Sequence, residues 1–146
     1  MVDRVSLSII IGGDLPAAQR AALLSHIQAE GLALDYDADA FEDGDFPLDA
    51  SLSLYAHEVA WGRADVLEGF CVRQGLAFVR WSGGSAAQFG PERVVFTGTG
   101  AVATYAADED DAVILSRDEA ERLGSFEAIM THFAAAYFAV PPLRFV

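Results

Sequence analysis

Apolar and polar residues alternate almost from the first residue. Val5, Leu7, Ile9 and Ile11 fall on one face of an extended segment and Ser6, Ser8 and Ile10 on the other, which predicts a strand. Gly12-Gly13-Asp14 then reads as a break. Asp14 with Pro16 reads as the start of a helix that carries Leu23, Leu24 and Ile27 at core spacing and stops at Gly31. Residues 32–36 resume as a strand. After an acidic stretch the order returns: Leu52-Ser53-Leu54 echoes Leu7-Ser8-Ile9. Residues 64–74 form a second predicted helix with Val66, Leu67, Phe70 and Cys71 as its stripe, and Gly75-Leu76-Ala77-Phe78 repeats Gly31-Leu32-Ala33-Leu34.

Two β-α-β units in tandem predict an α+β fold built as a ferredoxin-like split β-α-β repeat. Beyond residue 82 the pattern changes. Ser82-Gly83-Gly84-Ser85 opens a loop, and strands are predicted over 93–97, 101–106 and 112–115 with Gly98-Thr99-Gly100 between the first two, giving a C-terminal β-meander. Ser116-Arg117-Asp118-Glu119 is a capping-box pattern for a short helix closed by Gly124. Ser125 opens a second helix, with Ile129, Met130, Phe133 and Tyr137 on one side, that ends before Pro141-Pro142. One domain over 1–146 is expected: a duplicated core over 1–82 and a hairpin and helical extension over 83–146.

Composition adds constraints. The 146 residues are 53% hydrophobic, enough apolar material for one sizeable core and too little length for two. No stretch approaches the roughly 20 apolar residues of a membrane helix, and no secretory signal is legible. The single cysteine, Cys71, excludes an internal disulfide and points to a reducing, cytoplasmic setting. The net charge is −13, and all the basic side chains are arginine, a bias expected of a GC-rich bacterial genome. Such a charge disfavours direct contact with nucleic acid or anionic membranes and suits a basic protein partner, a cation or plain solubility.

Asp35, Asp37, Asp39, Glu42, Asp43, Asp45 and Asp49 concentrate the charge in one loop over 35–49. Asp35, Asp37 and Asp39 align with the first ligand positions of an EF-hand, but Ala40 stands where glycine is required and Phe46 where the bidentate glutamate belongs. A solvated, mobile loop is therefore the expectation. A divalent cation held by Asp14, Asp35, Asp37 and Asp39 is the alternative. Asp108-Glu109-Asp110-Asp111 is expected at a hairpin tip. Gly12-Gly13-Asp14 matches neither phosphate-loop pattern, and His57-Glu58 lacks the second histidine of a zincin.

Strand phase yields another candidate. With Leu7, Ile9, Leu52, Leu54 and Ala56 toward the helices, Ser6, Ser8, Ser53, Tyr55 and His57 point to the opposite face, where Arg80 is expected to join them. His57, Trp61, Arg63, Arg80 and Trp81 are expected at one end of the sheet as an aromatic and basic patch suited to a partner or an anionic ligand.

No nucleophile–base pair is legible, so the functional expectation is a non-catalytic, acidic cytosolic binding or regulatory module. It would act through protein–protein or small-ligand contacts, with a protein partner or as a homodimer and without a cofactor. The alternatives are a divalent-metal-dependent small hydrolase using the 35–49 loop, an acidic decoy for a nucleic-acid-binding protein, and an acid/base enzyme using His57 with Tyr55.

Overall fold

A computed structural model describes residues 4–60, 62–85 and 89–146. Among these residues the fold is α+β, with four α-helices and a six-stranded sheet. The elements are β1 (Arg4–Leu15), α1 (Arg20–Ala29), β2 (Leu52–Ala60), α2 (Asp65–Gln74), β3 (Ala77–Ser82), β4 (Glu92–Phe96), β5 (Ala103–Ala106), α3 (Arg117–Leu123), α4 (Phe126–Ala136) and β6 (Leu143–Phe145). The order across the sheet is β2-β1-β3-β4-β5, with every neighbouring pair antiparallel, and β6 joins β1 in parallel. Among the described residues, no helix is long and apolar enough to cross a membrane.

The predicted alternation is realised in the first core layer. Leu7, Ile9, Leu52 and Leu54 are almost wholly buried, and they pack with Leu23 and Ile27 of α1 and Leu67, Phe70 and Cys71 of α2 in one cluster. Gly75 closes α2 in the left-handed region at φ 70°, where its N–H reaches the carbonyls of Cys71 and Val72. Ser116 and Glu119 cap α3 reciprocally, as the sequence pattern requires.

Three elements differ from expectation. Gly12-Gly13-Asp14 is no break: β1 runs on to Leu15, and Gly13, Asp14 and Leu15 pair with Leu143, Arg144 and Phe145. A β-carbon at Gly12 would lie 1.6 Å from the Pro141 carbonyl oxygen, so glycine is what lets the two backbones meet. The strand predicted over 32–36 is reduced to one antiparallel bridge between Ala33 and Tyr55, and the one over 112–115 to a bridge between Ala107 and Val113.

The acidic segment is not a loose loop either. Phe41 and Phe46 leave it to enter the core, with ring centroids 5.0 Å apart. Arg20 pairs with Asp43 at 2.8 Å and lies 4.9 Å above the Phe46 ring, while Arg144 reaches Asp49 at 3.0 Å. Apolar anchoring by two phenylalanines overrides the self-repulsion of the carboxylates between them.

On the second face of the sheet a helix packs over the β4 side. Arg93 of β4 donates to the Ala136 carbonyl of α4 at 2.8 Å, and Tyr105 of β5 meets His132 of α4 edge-on at 5.1 Å. Next to β1 and β2 that face is more open, with Tyr36 laid against Tyr55 and His57, and the candidate site lies there.

Candidate functional site

Register decides which side chains share the open face. Ser8 stands opposite Tyr55 on one side and Trp81 on the other, so these three point the same way. Ile9 stands opposite Arg80, which therefore turns toward the helices. This corrects the expectation that Arg80 lies on the open face. Arg80 is only 5% exposed and is fully engaged: Nε donates to Glu68 at 2.8 Å, and Nη1 donates to the Gly62 carbonyl at 2.7 Å and to Ser82 Oγ at 2.9 Å. Glu68 also accepts from the Ala64 N–H at 3.0 Å, tying the first turn of α2 to β3. Arg63 is exposed on the same side as Arg80 and lines a groove with it. Trp61 lies outside the described residues. The expected aromatic and basic patch is thus divided: His57 and Trp81 are on one face, Arg63 and Arg80 on the other.

A β-bulge shapes the open face. Leu7 pairs with Ala56 and Val5 with Val59, so Ser6 alone opposes both His57 and Glu58. Glu58 absorbs the extra residue at φ 55°, a left-handed conformation that costs a non-glycine residue of order 1 kcal/mol. Neighbours in a regular strand point to opposite faces, yet His57 and Glu58 line one cleft of about 650 Å³ with Val5, Ser6, Trp81, Gly83, Gly84 and Glu109.

Each wall is held by named contacts. Ser6 Oγ and His57 Nδ1 lie 3.1 Å apart, and Tyr36 stacks on the His57 imidazole at 4.4 Å and 19°. Tyr55 touches Tyr36 at 5.2 Å. Burial raises the Tyr36 phenol above its ordinary pKa, and Tyr55, Asp111 and Asp35 push in the same direction, so it remains a neutral hydroxyl. Ser53 and Tyr55 share the face with His57 but do not line the cleft.

The opposite wall is the 108–111 turn. Asp108 Oδ1 accepts from the N–H groups of Asp110 and Ala112, both at 2.9 Å, which makes the tip a rigid Asx-type turn. Trp81 Nε1 donates to the Asp108 carbonyl at 3.0 Å, and Gly84 N–H donates to Glu109 Oε1 at 3.0 Å. The turn is the expected hairpin tip, closed by the Ala107–Val113 bridge, but the sequence carries no signal that Glu109 lines a cleft with His57. Glu58 was likewise invisible, because alternation places it on the other face.

The remaining candidates lie apart. Asp14 is exposed on the stretch of β1 that pairs with β6, and Asp35, Asp37 and Asp39 are exposed along the acidic segment. Asp35 Oδ1 accepts from the Tyr36 N–H at 2.7 Å. Among the described residues, no three histidine, cysteine, aspartate or glutamate side chains are grouped so as to hold a metal ion.

Cys71 is buried in α2, and that burial, with Glu68 beside it, pushes its thiol up to about 12. Its expected behaviour is inertness: a chromogenic disulfide reagent at pH 8 labels it only at the rate of unfolding, and at once in denaturant. Labelling of the native protein at the rate of a free thiol contradicts this. Comparison with protein-family models, curated proteins and solved structures finds no match to the chain.

Proposed function

We propose that this protein is a non-catalytic binding module whose recognition element is the cleft between the β2 bulge and the 108–111 turn. The carrying observation is the bulge. The chain holds Glu58 at a strained φ of 55°, and the conformation sets His57 and Glu58 side by side in the cleft. Strain of this kind persists where surrounding structure enforces it, and it gathers at sites that bind or react. A surface cleft of about 650 Å³, open to solvent, has room for a small ligand or one side chain of a partner. We read the module as cytoplasmic, and a protein partner or a homodimer could present the bound group.

We also read the sheet as a ferredoxin-like core. If the Ala33 bridge is counted as a reduced strand, the order Ala33-β2-β1-β3 is that of a split β-α-β repeat, and β4 and β5 extend it. Folds of this type host many activities, so this adds nothing to the functional reading.

The test is a fragment screen followed through backbone amide resonances. The expected result is that hits move Ser6, His57, Gly83, Gly84 and Glu109 together. Hits confined to the groove beside α2, or none at millimolar concentration, would remove the cleft as the recognition element. The Ser6–His57 contact at 3.1 Å favours one second reading, acyl transfer with Ser6 as nucleophile. Turnover of an activated ester that disappears in Ser6→Ala would establish it in place of simple binding.

A further inference from the structure

Helix α4 is apolar on more than one side. Of its eleven residues only Ala136 is buried, and Glu127 is the only one with a full charge. The side toward the sheet is fixed: His132 meets Tyr105 at 5.1 Å, and Arg93 holds the Ala136 carbonyl at 2.8 Å. A second stripe has no such cover. Phe126, Met130, Phe133 and, at the C-cap, Tyr137 follow at steps of four, three and four, the spacing that lines up one seam along a helix. Phe126 is 77% exposed, Met130 49% and Tyr137 48%. A helix apolar on all sides is ordinarily covered on all sides. We propose that the stripe is a dimer interface, in which α4 packs antiparallel against α4 of a second copy of the chain about a twofold axis between Met130 and Phe133.

The charge distribution selects a second copy as the occupant. The net charge is −13, yet residues 128–143 contain no aspartate, glutamate or arginine. A basic partner would be drawn to the carboxylates of 35–49 and 108–111, and an anionic membrane would be repelled by the molecule as a whole. A twofold contact sets a patch against itself, so in an acidic chain it forms at least cost where the patch is uncharged. The seam of α4 meets that condition. Antiparallel packing also places the two Glu127 carboxylates at opposite ends of the contact, about 13 Å apart along the helix axis at 1.5 Å rise per residue, beyond the screening length of about 8 Å. The stripe is ordered beforehand. Tyr137 Oη accepts from the Val113 N–H at 2.8 Å, and the Tyr137 ring lies 5.1 Å from the Arg93 guanidinium, so association has little left to immobilise there. Ile114, next to Val113 and half exposed, widens the patch. No residue of α4 lines the cleft, so this inference and the reading of the cleft stand or fall separately.

Sedimentation equilibrium of the full chain, from low to high micromolar concentration, tests the proposal. The expected mass rises to twice that of the chain and stops there. Met130→Glu enters the interface twice and sets two carboxylates near the axis, so it should weaken association about tenfold or more. Val66→Glu, at a valine of α2 that is 57% exposed, should leave association unchanged. Circular dichroism checks that both variants keep the native fold. Single cysteines give a second readout, because Cys71 is buried. Met130→Cys, close to the axis, should yield a disulfide-linked dimer with the thiol oxidant diamide, and Phe126→Cys, at the far ends, should not.

A monomer at every concentration overturns the proposal, as does a series that continues past two copies. Association of Met130→Glu as tight as that of the unaltered chain moves the contact off α4 and overturns it too. Loss of association in Val66→Glu places the contact on α2, with the same consequence. Cross-linking at Phe126→Cys and not at Met130→Cys overturns the antiparallel arrangement. The cysteine variants decide the matter if Met130→Glu does not fold.

Discussion

Gly12→Ala is expected to be among the most damaging single-methyl additions the chain can suffer. The new β-carbon would fall 1.6 Å from the Pro141 carbonyl oxygen and 2.8 Å from Val140 Cγ1, and the first of these belongs to backbone that cannot rotate away. Overpacking usually costs about 1–3 kcal/mol when side chains can yield, and here the chain itself must move. A loss of about 3 kcal/mol or more follows, together with detachment of β6 from Gly13–Leu15. Urea denaturation and the amide resonances of residues 141–146 report the two effects separately. Gly44→Ala is the control: a β-carbon there meets nothing within 4 Å, so its effect should stay within about 0.5 kcal/mol. A Gly12→Ala midpoint equal to that of the control would show that the two backbones need not meet so closely.

The second large effect is expected at Arg80. Its side chain is 6% exposed and that of Glu68 12%, so Arg80→Ala leaves a buried carboxylate without its cation. It also strands the Gly62 carbonyl and Ser82 Oγ, both of which Arg80 satisfies. Breaking a buried pair from one side costs about 3–5 kcal/mol, a large share of the 5–15 kcal/mol that holds a typical domain together. Much of that is the cost of the orphaned charge rather than the worth of the pair. Arg80→Met combined with Glu68→Gln should therefore recover part of the loss, since the Glu68 charge leaves with that of Arg80, while the Gly62 carbonyl, Ser82 Oγ and the Glu92 carboxylate still lack the arginine. Chemical denaturation of Arg80→Met, Glu68→Gln and the double variant closes the cycle, with Arg80→Ala measured beside them. If Arg80→Ala and the double variant lose equal stability, the carboxylate is not stranded by loss of the arginine. In either case the cleft should be spared, because Arg80 faces away from it.

These two residues also mark where sequence reasoning reached its limit. Alternation identified the helix-facing set of Leu7, Ile9, Leu52, Leu54 and Ala56, because strict two-residue periodicity is a local property. Arg80 lies on a strand that alternation also detects, but its face depends on which β1 residue it pairs with, and that is set by long-range register. Gly12 was legible only as a turn former. The close approach that requires glycine is made by residues near 141, and no local pattern announces it. Phe41 and Phe46 were masked by the acidic residues around them, although large aromatics inside a charge run are a signal that the run is anchored.

The cleft was half legible for the same reason. Ser6, His57 and Trp81 could be placed on one face or at one end by phase alone. Glu58 required knowledge of the bulge, which breaks the phase, and Glu109 required knowledge of how the 108–111 turn folds back over Trp81. Both carboxylates that line the cleft were therefore hidden from periodicity.

The pairing of Gly13–Leu15 with Leu143–Phe145 also bears on the order in which the chain is assembled during synthesis. The other ladders in the sheet pair residues no further apart along the chain than Leu7 and Ser82, whereas this ladder joins Gly13 to Leu143. Contacts of such high separation form slowly, since the loop they close is long. While residues up to 142 emerge from a ribosome, the far end of β1 has its own hydrogen-bonding edge and the buried side of Leu15 uncovered. That exposed edge could recruit another nascent chain before β6 arrives. Yield of native protein should accordingly depend on translation speed and chaperone supply more than the stability of the finished fold would suggest.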